Sequence, residues 1–177
     1  MRAFLVCLLA ALPVSLARAA PEIAFDETRV EILSFGIYCV AGGTVVDAPL
    51  TATGEMRKDS YHEWQAETIR VPARLGLSFG VVYAARKGFG PAMSTSSHPP
   101  FPGREITSYR SIDLFLAPPD GQRSMIYGFD YDFELAPGPW TFQIGAPDGP
   151  VLRAEFEVVP DDGTLFPEIE CIGPPVS

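Results

Sequence analysis

Basic residues, histidines and long apolar runs are scarce in this 177-residue chain. It carries 13 Lys and Arg against 22 Asp and Glu, which gives a formal net charge of −9 at pH 7. Proteins that bind DNA, RNA or anionic membranes neutralise phosphates with clusters of Lys and Arg, and the sequence holds no such cluster. After residue 19 no apolar run approaches membrane-spanning length. We therefore expect neither nucleic-acid binding nor membrane insertion.

Signatures of catalysis and metal binding are also missing. The histidines, His62 and His98, lie 36 positions apart, whereas a catalytic zinc site needs three protein ligands, often with a closely spaced pair. The sequence has neither the Gly-x-Ser-x-Gly elbow of serine hydrolases nor a phosphate-binding glycine loop. Paired carboxylates for glycoside chemistry stay open, because they need only spatial proximity. We expect no metal, no cofactor and no enzymatic activity.

Residues 1–19 have the pattern of a cleaved secretory signal peptide. Arg2 precedes a nearly continuous apolar stretch that extends to Leu16, and Ala17 and Ala19 are the small residues that a signal peptidase requires. The apolar stretch is too short to span a bilayer comfortably. We therefore expect a periplasmic or secreted protein whose mature chain starts directly after Ala19.

One of the three cysteines lies within the expected signal, which leaves Cys39 and Cys171 in the mature chain. Two cysteines in an exported protein most often form one disulfide, and two separate buried thiols are the alternative. The disulfide would pin the C-terminal tail to an early strand. The predicted organisation is therefore a signal peptide at 1–19, a single β-sandwich domain at 20–160 and a pinned tail at 161–177.

Apolar and polar side chains alternate along much of the mature chain, which is typical of β-strands with one buried face. The longest run, residues 124–159, predicts three consecutive antiparallel strands in one sheet, the first at 125–135. No helical period or fixed repeat is present. About seven to eight short strands with frequent Gly and Pro turns predict an all-β fold, a two-sheet immunoglobulin-like sandwich, with a barrel as the alternative. Trp140 is the candidate for its buried tryptophan.

Three acidic residues, Asp130, Asp132 and Glu134, alternate with the apolar side chains of the first of these strands. Because alternate strand residues share a face, the three carboxylates could offer oxygen ligands to calcium. The calcium-loop spacing with its glycine is absent, however, so a solvated sheet face is the prediction.

Two local features are predicted elsewhere in the chain. The apolar phase changes at Leu33-Ser34, which predicts a β-bulge there. Residues 44–61 are predicted to form a long loop with at most one edge strand.

The longest irregular segment predicted is residues 86–107, and its most distinctive part is the proline-rich loop 94–103. Long loops are often functional, and stiff proline-rich segments that carry an aromatic residue lose little entropy on binding. The candidate partner-binding residues are Ser97, His98, Pro99, Pro100 and Phe101. In the alternative, Phe101 packs into the core and the prolines stiffen a crossing between sheets. We favour this alternative, because ordered loops usually anchor through their own side chains.

The chain contains Phe35-Gly36-Ile37-Tyr38, the run from Ile69 to Gly80, His98-Pro99-Pro100, Gly138-Pro139-Trp140-Thr141-Phe142 and Phe156-Glu157-Val158-Val159. In this order and spacing the stretches resemble a bacterial family catalogued as domain of unknown function 3859, over nearly the whole mature chain. The resemblance implies an exported single-domain protein. It supplies no catalytic residue, because the family has no established activity.

Two functions are compatible with these features. The first is an exported, non-enzymatic β-sandwich that binds a protein or small ligand, or serves as an accessory in the cell envelope. The second is a small-ligand binder or hydrolase whose site is built from loops. A closed apolar cleft with converging carboxylates or a histidine would favour the second function, and a convex surface without such a cleft would favour the first.

Overall fold

Two β-sheets pack face to face in the computed structural model, which describes residues 22–86, 91–113, 121–146 and 148–171. The strands are β1 (Ile23–Phe25), β2 (Val30–Ala48), β3 (Gly54–Ala66), β4 (Arg70–Ala73), β5 (Leu77–Ala85), β6 (Ala92–Ser97), β7 (Ser108–Asp113), β8 (Gln122–Gly128), β9 (Gly138–Ala146) and β10 (Gly149–Pro160). The all-β sandwich predicted from the sequence is confirmed, although the described residues hold more strands than expected. The expected signal peptide lies outside these residues.

The strand order shows which predicted neighbours pair. The larger sheet runs β1-β10-β9-β6-β7, with β4 pairing in parallel to the end of β10. The smaller sheet runs β3-β2-β5-β8 and is antiparallel throughout. β9 and β10 form the predicted antiparallel pair, with Phe156 opposite Trp140. β8 instead pairs with β5 in the other sheet, so the prediction of one sheet over residues 124–159 is wrong.

Phe79 of β5 joins the two sheets of the sandwich. Its ring centroid lies 5.3 Å from that of Trp140 and 5.4 Å from that of Phe156, both on the opposite sheet. Tilted and edge-to-face contacts at such distances are favourable beyond the area that they bury. All three side chains are almost completely buried, and Trp140 is the buried tryptophan that the sequence predicts.

Two glycines allow the strands around Phe79 to approach their neighbours closely. Gly36 of β2 and Gly80 of β5 lie opposite each other and have φ of 119° and 155°. A Cβ at Gly80 would overlap the carbonyl oxygen of Met125, and one at Gly36 would overlap that of Ala66. Only glycine fits both positions, because a side chain would be strained and would clash with backbone.

The strand expected at residues 125–135 ends at Gly128. The chain then makes a 3-10 turn at Asp132–Glu134, and no helix in the described ranges has the length and hydropathy to cross a membrane. Glu134, expected on a solvated face, is only 2% exposed. That prediction is wrong because the turn folds the carboxylate inward, where Tyr127 and two backbone amides donate hydrogen bonds to it.

Two predicted loops contain strands. Residues 44–61 form much of the β2–β3 hairpin, in which Val45 lies opposite Arg57. The apolar alternation is missing there because, among the described residues, β2 and β3 pair only with each other beyond the core, so that Val45 is 41% exposed. Residues 94–97 belong to β6, whose serines and threonine carry no apolar signal. The bulge predicted at Leu33-Ser34 is confirmed by a register shift between β2 and β5 at that point.

The C-terminal tail is held by one disulfide and one arginine. Cys39 and Cys171 are bonded, with Cα atoms 5.1 Å apart, which confirms the predicted pair. Closing so long a loop stabilises the fold by roughly 4–5 kcal/mol in the chain-entropy model. Arg74 uses all of its N–H donors on the tail. They bond to the carboxylate of Asp161 and to the carbonyl oxygens of Leu165, Phe166 and Ile169.

Substituting Arg74 by lysine should release the tail before the core unfolds. Lysine has its donors on one nitrogen and cannot reproduce the two-pronged contact with Asp161. We expect a loss of about 2–3 kcal/mol of unfolding free energy and faster limited proteolysis within residues 161–171. Arg70→Lys is the matched control, because Arg70 is more exposed and lies 3.5 Å from its partner Glu157. Equal rates of tail cleavage in the two variants would contradict this role of Arg74.

Truncating the aromatic residues of β9 and β10 tests the assignment of their faces. Trp140→Ala and Phe156→Ala should each lower the free energy of unfolding by about 3–5 kcal/mol, as other large-to-small core changes do. Thr141→Ala and Glu157→Ala, one residue further along the same strands, should each cost less than about 1 kcal/mol. Urea denaturation measures all four. Similar midpoints for Phe156→Ala and Glu157→Ala would show that the faces are reversed.

Candidate functional site

The predicted partner-binding loop follows β6 and packs onto the core. Ser97 is the last residue of β6, and Phe101 is 2% exposed. The Phe101 ring stacks on the ring of His98, with centroids 4.1 Å apart. This is the favoured alternative from the sequence, in which Phe101 packs into the core. Pro100 and residues 102–106 are exposed, and a partner-binding role for the loop stays a prediction.

His98 is a packed ring with one nitrogen left as an acceptor. Its Nδ1 lies 2.8 Å from the carbonyl oxygen of Pro99. Because a carbonyl oxygen only accepts, Nδ1 carries the hydrogen, and Nε2 of the neutral ring is then an acceptor. Burial lowers the pKa of His98, and the bond to Pro99 partly offsets this effect. The centroids of Trp140 and Tyr127 lie 5.0 and 6.2 Å from that of His98.

Tyr127 and Glu134 form a buried hydrogen-bonded pair beside this ring. The Tyr127 hydroxyl donates to Oε1 of Glu134 at 2.6 Å. The backbone N–H groups of Asp130 and Tyr131 donate to Oε2 at 2.6 and 2.9 Å. Burial raises the pKa of Glu134 although these bonds oppose it, and burial together with the carboxylate raises the pKa of Tyr127. Both carboxylate oxygens are therefore engaged in holding the turn.

The tip of the β2–β3 hairpin covers this end of the sandwich. The Tyr131 hydroxyl donates to Glu55 at 2.9 Å, and Arg104 donates to the carbonyl oxygen of Ala52 at 2.8 Å. The guanidinium of Arg104 also lies 4.2 Å from the centroid of the Phe133 ring, a cation–π distance. The loop, the turn and the hairpin thus brace one another through side chains that the sequence places far apart.

The acidic residues and histidines considered as metal ligands do not converge. Asp130 pairs with Arg57 at 3.5 Å, whereas Glu134 lies inside the turn. His62 belongs to β3 and His98 to the loop after β6. Across the described ranges, no group of three or more His, Cys, Asp or Glu is arranged to hold a metal ion.

An open groove, which no pattern in the sequence indicates, lies between β1 and the first part of β2. Its volume is about 480 Å³, and it is lined by Glu22, Ile23, Phe25, Ile32, Leu33, Ser34, Phe35, Glu67 and Ile69. The lining is mainly apolar, and Phe25 and Leu33 are 38% and 41% exposed. Among the described residues, the charged side chains that line it are the carboxylates of Glu22 and Glu67. The groove is open to solvent and does not form an enclosed pocket.

Both strands that border the groove present an edge without a strand partner among the described residues. β1 pairs with β10 alone. β2 pairs with β5 from Val30, but with β3 only from Ile37 onwards. The carbonyl oxygen of Phe35 accepts a hydrogen bond at 3.0 Å from Nε1 of Trp64, a β3 residue. A side chain thus takes the place of a neighbouring strand where the groove begins.

The sequence matches the family model described as Domain of unknown function (DUF3859) over residues 26–158. The chain belongs to this family. Gly36 and Arg74, whose structural roles are described above, lie within the matched part of this DUF3859 protein. A crystal structure of an immunoglobulin-like protein from Pseudomonas aeruginosa is similar, with 20% identity, a TM-score of 0.52, and coverage of 81% of this chain and 99% of that chain. This likeness shows an immunoglobulin-like fold. No curated protein matched the sequence.

Removing the Tyr127 hydroxyl tests the buried pair of this DUF3859 chain. Because the folded-state pKa of Glu134 is raised, the stability that this carboxyl contributes is greatest below its unfolded pKa and falls as pH rises through the folded pKa. Tyr127→Phe removes a donor to the charged form and should raise that pKa further. We expect it to lower the free energy of unfolding by about 1–3 kcal/mol near pH 8 and by less near pH 4.5.

Urea denaturation at the two pH values measures this cost. Tyr61→Phe is the matched control, because Tyr61 is 69% exposed and loss of its hydroxyl should change stability little at either pH. A cost for Tyr127→Phe that is the same at both pH values would show that Glu134 does not depend on the hydroxyl for its charged form.

Proposed function

We propose that this protein is exported and acts in the cell envelope as a non-enzymatic binding or accessory module. The observation that carries the proposal is the contrast between its buried polar groups and its groove. Glu134 is occupied by internal hydrogen bonds and His98 is packed among aromatic rings, which is unlike a general acid–base pair aimed at a substrate. The groove, by contrast, exposes apolar side chains beside strand edges, as peptide-binding surfaces do.

Export is supported by two features of the chain. Residues 1–19 have the composition of a secretory signal. The Cys39–Cys171 disulfide suits an oxidising compartment such as the periplasm, where such bonds persist. We expect the working protein to begin directly after Ala19, with its disulfide formed.

A small-ligand binder or hydrolase with a loop-built site is the second candidate. It is favoured by one observation, the acceptor nitrogen Nε2 of the neutral His98 ring. A hydrolase would also need a nucleophile or a water molecule within hydrogen-bond reach of that atom. The ring neighbours of His98 are Phe101, Tyr127 and Trp140, and the hydroxyl of Tyr127 already donates to Glu134. We therefore place this candidate second.

Affinity capture from a periplasmic extract, followed by identification of the bound proteins by mass spectrometry, tests the proposed function. The bait is the protein purified from the periplasm, and the control bait is an unrelated immunoglobulin-like domain of similar net charge. We expect one or a few proteins to be enriched on the first bait alone. N-terminal sequencing of the bait should start directly after Ala19.

The enzymatic candidate is tested with the same preparation. Hydrolysis of a chromogenic ester should not exceed the buffer rate, and His98→Gln, which keeps an N–H for Pro99, should leave it unchanged. Failure to enrich any protein, together with ester turnover that His98→Gln removes, would contradict the binding role and favour the second candidate.

A further inference from the structure

We propose that the groove between β1 and β2 binds an extended peptide segment with alternating apolar side chains and with lysine or arginine near one end. This inference rests on the binding role proposed above and names the kind of partner. The segment would lie along the edge of β2 at residues 31–34, which has no strand partner among the described residues, and would add a short strand to the smaller sheet, a recognised mode of peptide binding.

The backbone that borders the groove favours a strand as the occupant. On one edge, β2 pairs with β3 from Ile37 to Ala48, and residues 30–35 continue that edge with no strand partner in the described ranges. The N–H of Val30 donates to the carbonyl oxygen of Asp26, and the carbonyl oxygen of Phe35 accepts from Trp64, so residues 31–34 are the part left for another strand. An exposed strand edge presents N–H and C=O groups that can pair with another chain. Four residues of β2 extend over roughly 13 Å, so about four residues of the segment would pair and its ends would extend beyond the paired stretch.

The side chains of the groove favour alternation in that segment. Ile23 and Phe25 of β1 and Leu33 of β2 are apolar and line the groove, and two of these three are more than one-third exposed. Alternate residues of an added strand point to the same side, so every second side chain of the segment would enter the groove. Removing these apolar surfaces from water is the favourable contribution to binding.

The charge of the lining favours a basic residue at one end of the segment. Glu22 directly precedes β1 and Glu67 directly follows β3, and among the described residues no Lys or Arg lines the groove. Both lie toward the same end of the groove, because the carbonyl oxygen of Glu22 accepts from the N–H of Glu155, and that of nearby Ile69 accepts from the N–H of Glu157, two residues further along β10. The whole chain has a formal net charge of −9. An acidic segment would meet like charge, whereas lysine or arginine would lie near a carboxylate, so that charge selects among partners.

The same carboxylates disfavour a second copy of this chain as the occupant. In a two-fold symmetric dimer the same surface lies on both sides of the interface. Glu22 and Glu67 of one molecule would then lie near those of the other, in two chains that are both acidic. A separate partner that carries basic residues fits the groove better.

Fluorescence anisotropy with labelled heptapeptides tests the proposal on the full mature protein with its disulfide intact. The first probe has lysine at both ends, with valine and threonine alternating between them. The second has glutamate at both ends, and the third has proline in place of the central valine. We expect the lysine probe to bind about tenfold more tightly than the glutamate probe. The proline probe should bind weakly because proline lacks a backbone donor.

Three variants locate the binding. Glu22→Gln combined with Glu67→Gln keeps the shape of the lining without its charge, and should remove the preference between the lysine and glutamate probes. Leu33→Lys places a positive charge in the apolar lining and should weaken binding of the lysine probe. Leu50→Lys is the matched control, because Leu50 is 76% exposed and does not line the groove. Thermal unfolding shows that each variant is folded.

Equal affinity for the lysine and glutamate probes, or no binding at roughly 1 mM peptide, would overturn the proposal. A dimer in light scattering that Leu33→Lys dissociates would also overturn it, because a second copy would then occupy the groove. Proteins enriched specifically from the periplasmic extract would, in both cases, preserve the binding role and remove only the groove assignment. Failure of the groove is therefore distinguishable from failure of the proposed function.

Discussion

The contact of Phe79 with Trp140 and Phe156 holds the two sheets together, and the rest of the structure depends on the close strand spacing around it. Phe79 precedes Gly80, and across the sheet Gly80 lies opposite Gly36. Gly80 lets the backbone of β8 approach β5, and Gly36 lets the end of β3 pass close to β2. β3 then stops pairing with β2, and the edge that borders the groove begins at the same point. The close strand spacing at Gly36 and Gly80 thus affects both the packing of the core and the point at which the edge along the groove becomes exposed.

The parts of the fold that the sequence predicts are those in which one strand face is buried. Trp140 and Phe156 alternate with polar residues because only one face of β9 and of β10 packs against the core. The disulfide was predictable from the number of cysteines and the expected compartment. The position at which β8 ends was not predictable, because Tyr131 and Phe133 continue the apolar alternation although they belong to a turn. Periodicity reports which side chains are apolar, and it does not report whether the backbone bonds to a neighbouring strand.

The candidate site was less predictable than the fold, and the reasons are physical. The groove joins Glu22, Leu33 and Glu67, which no local pattern connects, and it exists because β3 ends its pairing with β2 early. The sequence shows Gly36 but not the Ala66 carbonyl that it approaches. The burial of Glu134 depends on hydrogen-bond donors from Tyr127 and the turn backbone. The sequence shows only an acidic residue at a strand-like position, which does not indicate that its carboxylate is buried.

A photo-crosslinking amino acid placed at Leu33 in living cells tests the central claim, that partners bind at the groove, most directly. Leu50, which is more exposed but lies on the hairpin tip, is the control position. We predict a discrete crosslinked partner from Leu33, none from Leu50, and loss of the Leu33 product when Glu22 and Glu67 are both changed to glutamine. Crosslinking from Leu50 but not from Leu33, or a Leu33 product that does not respond to the loss of both carboxylates, would contradict the claim.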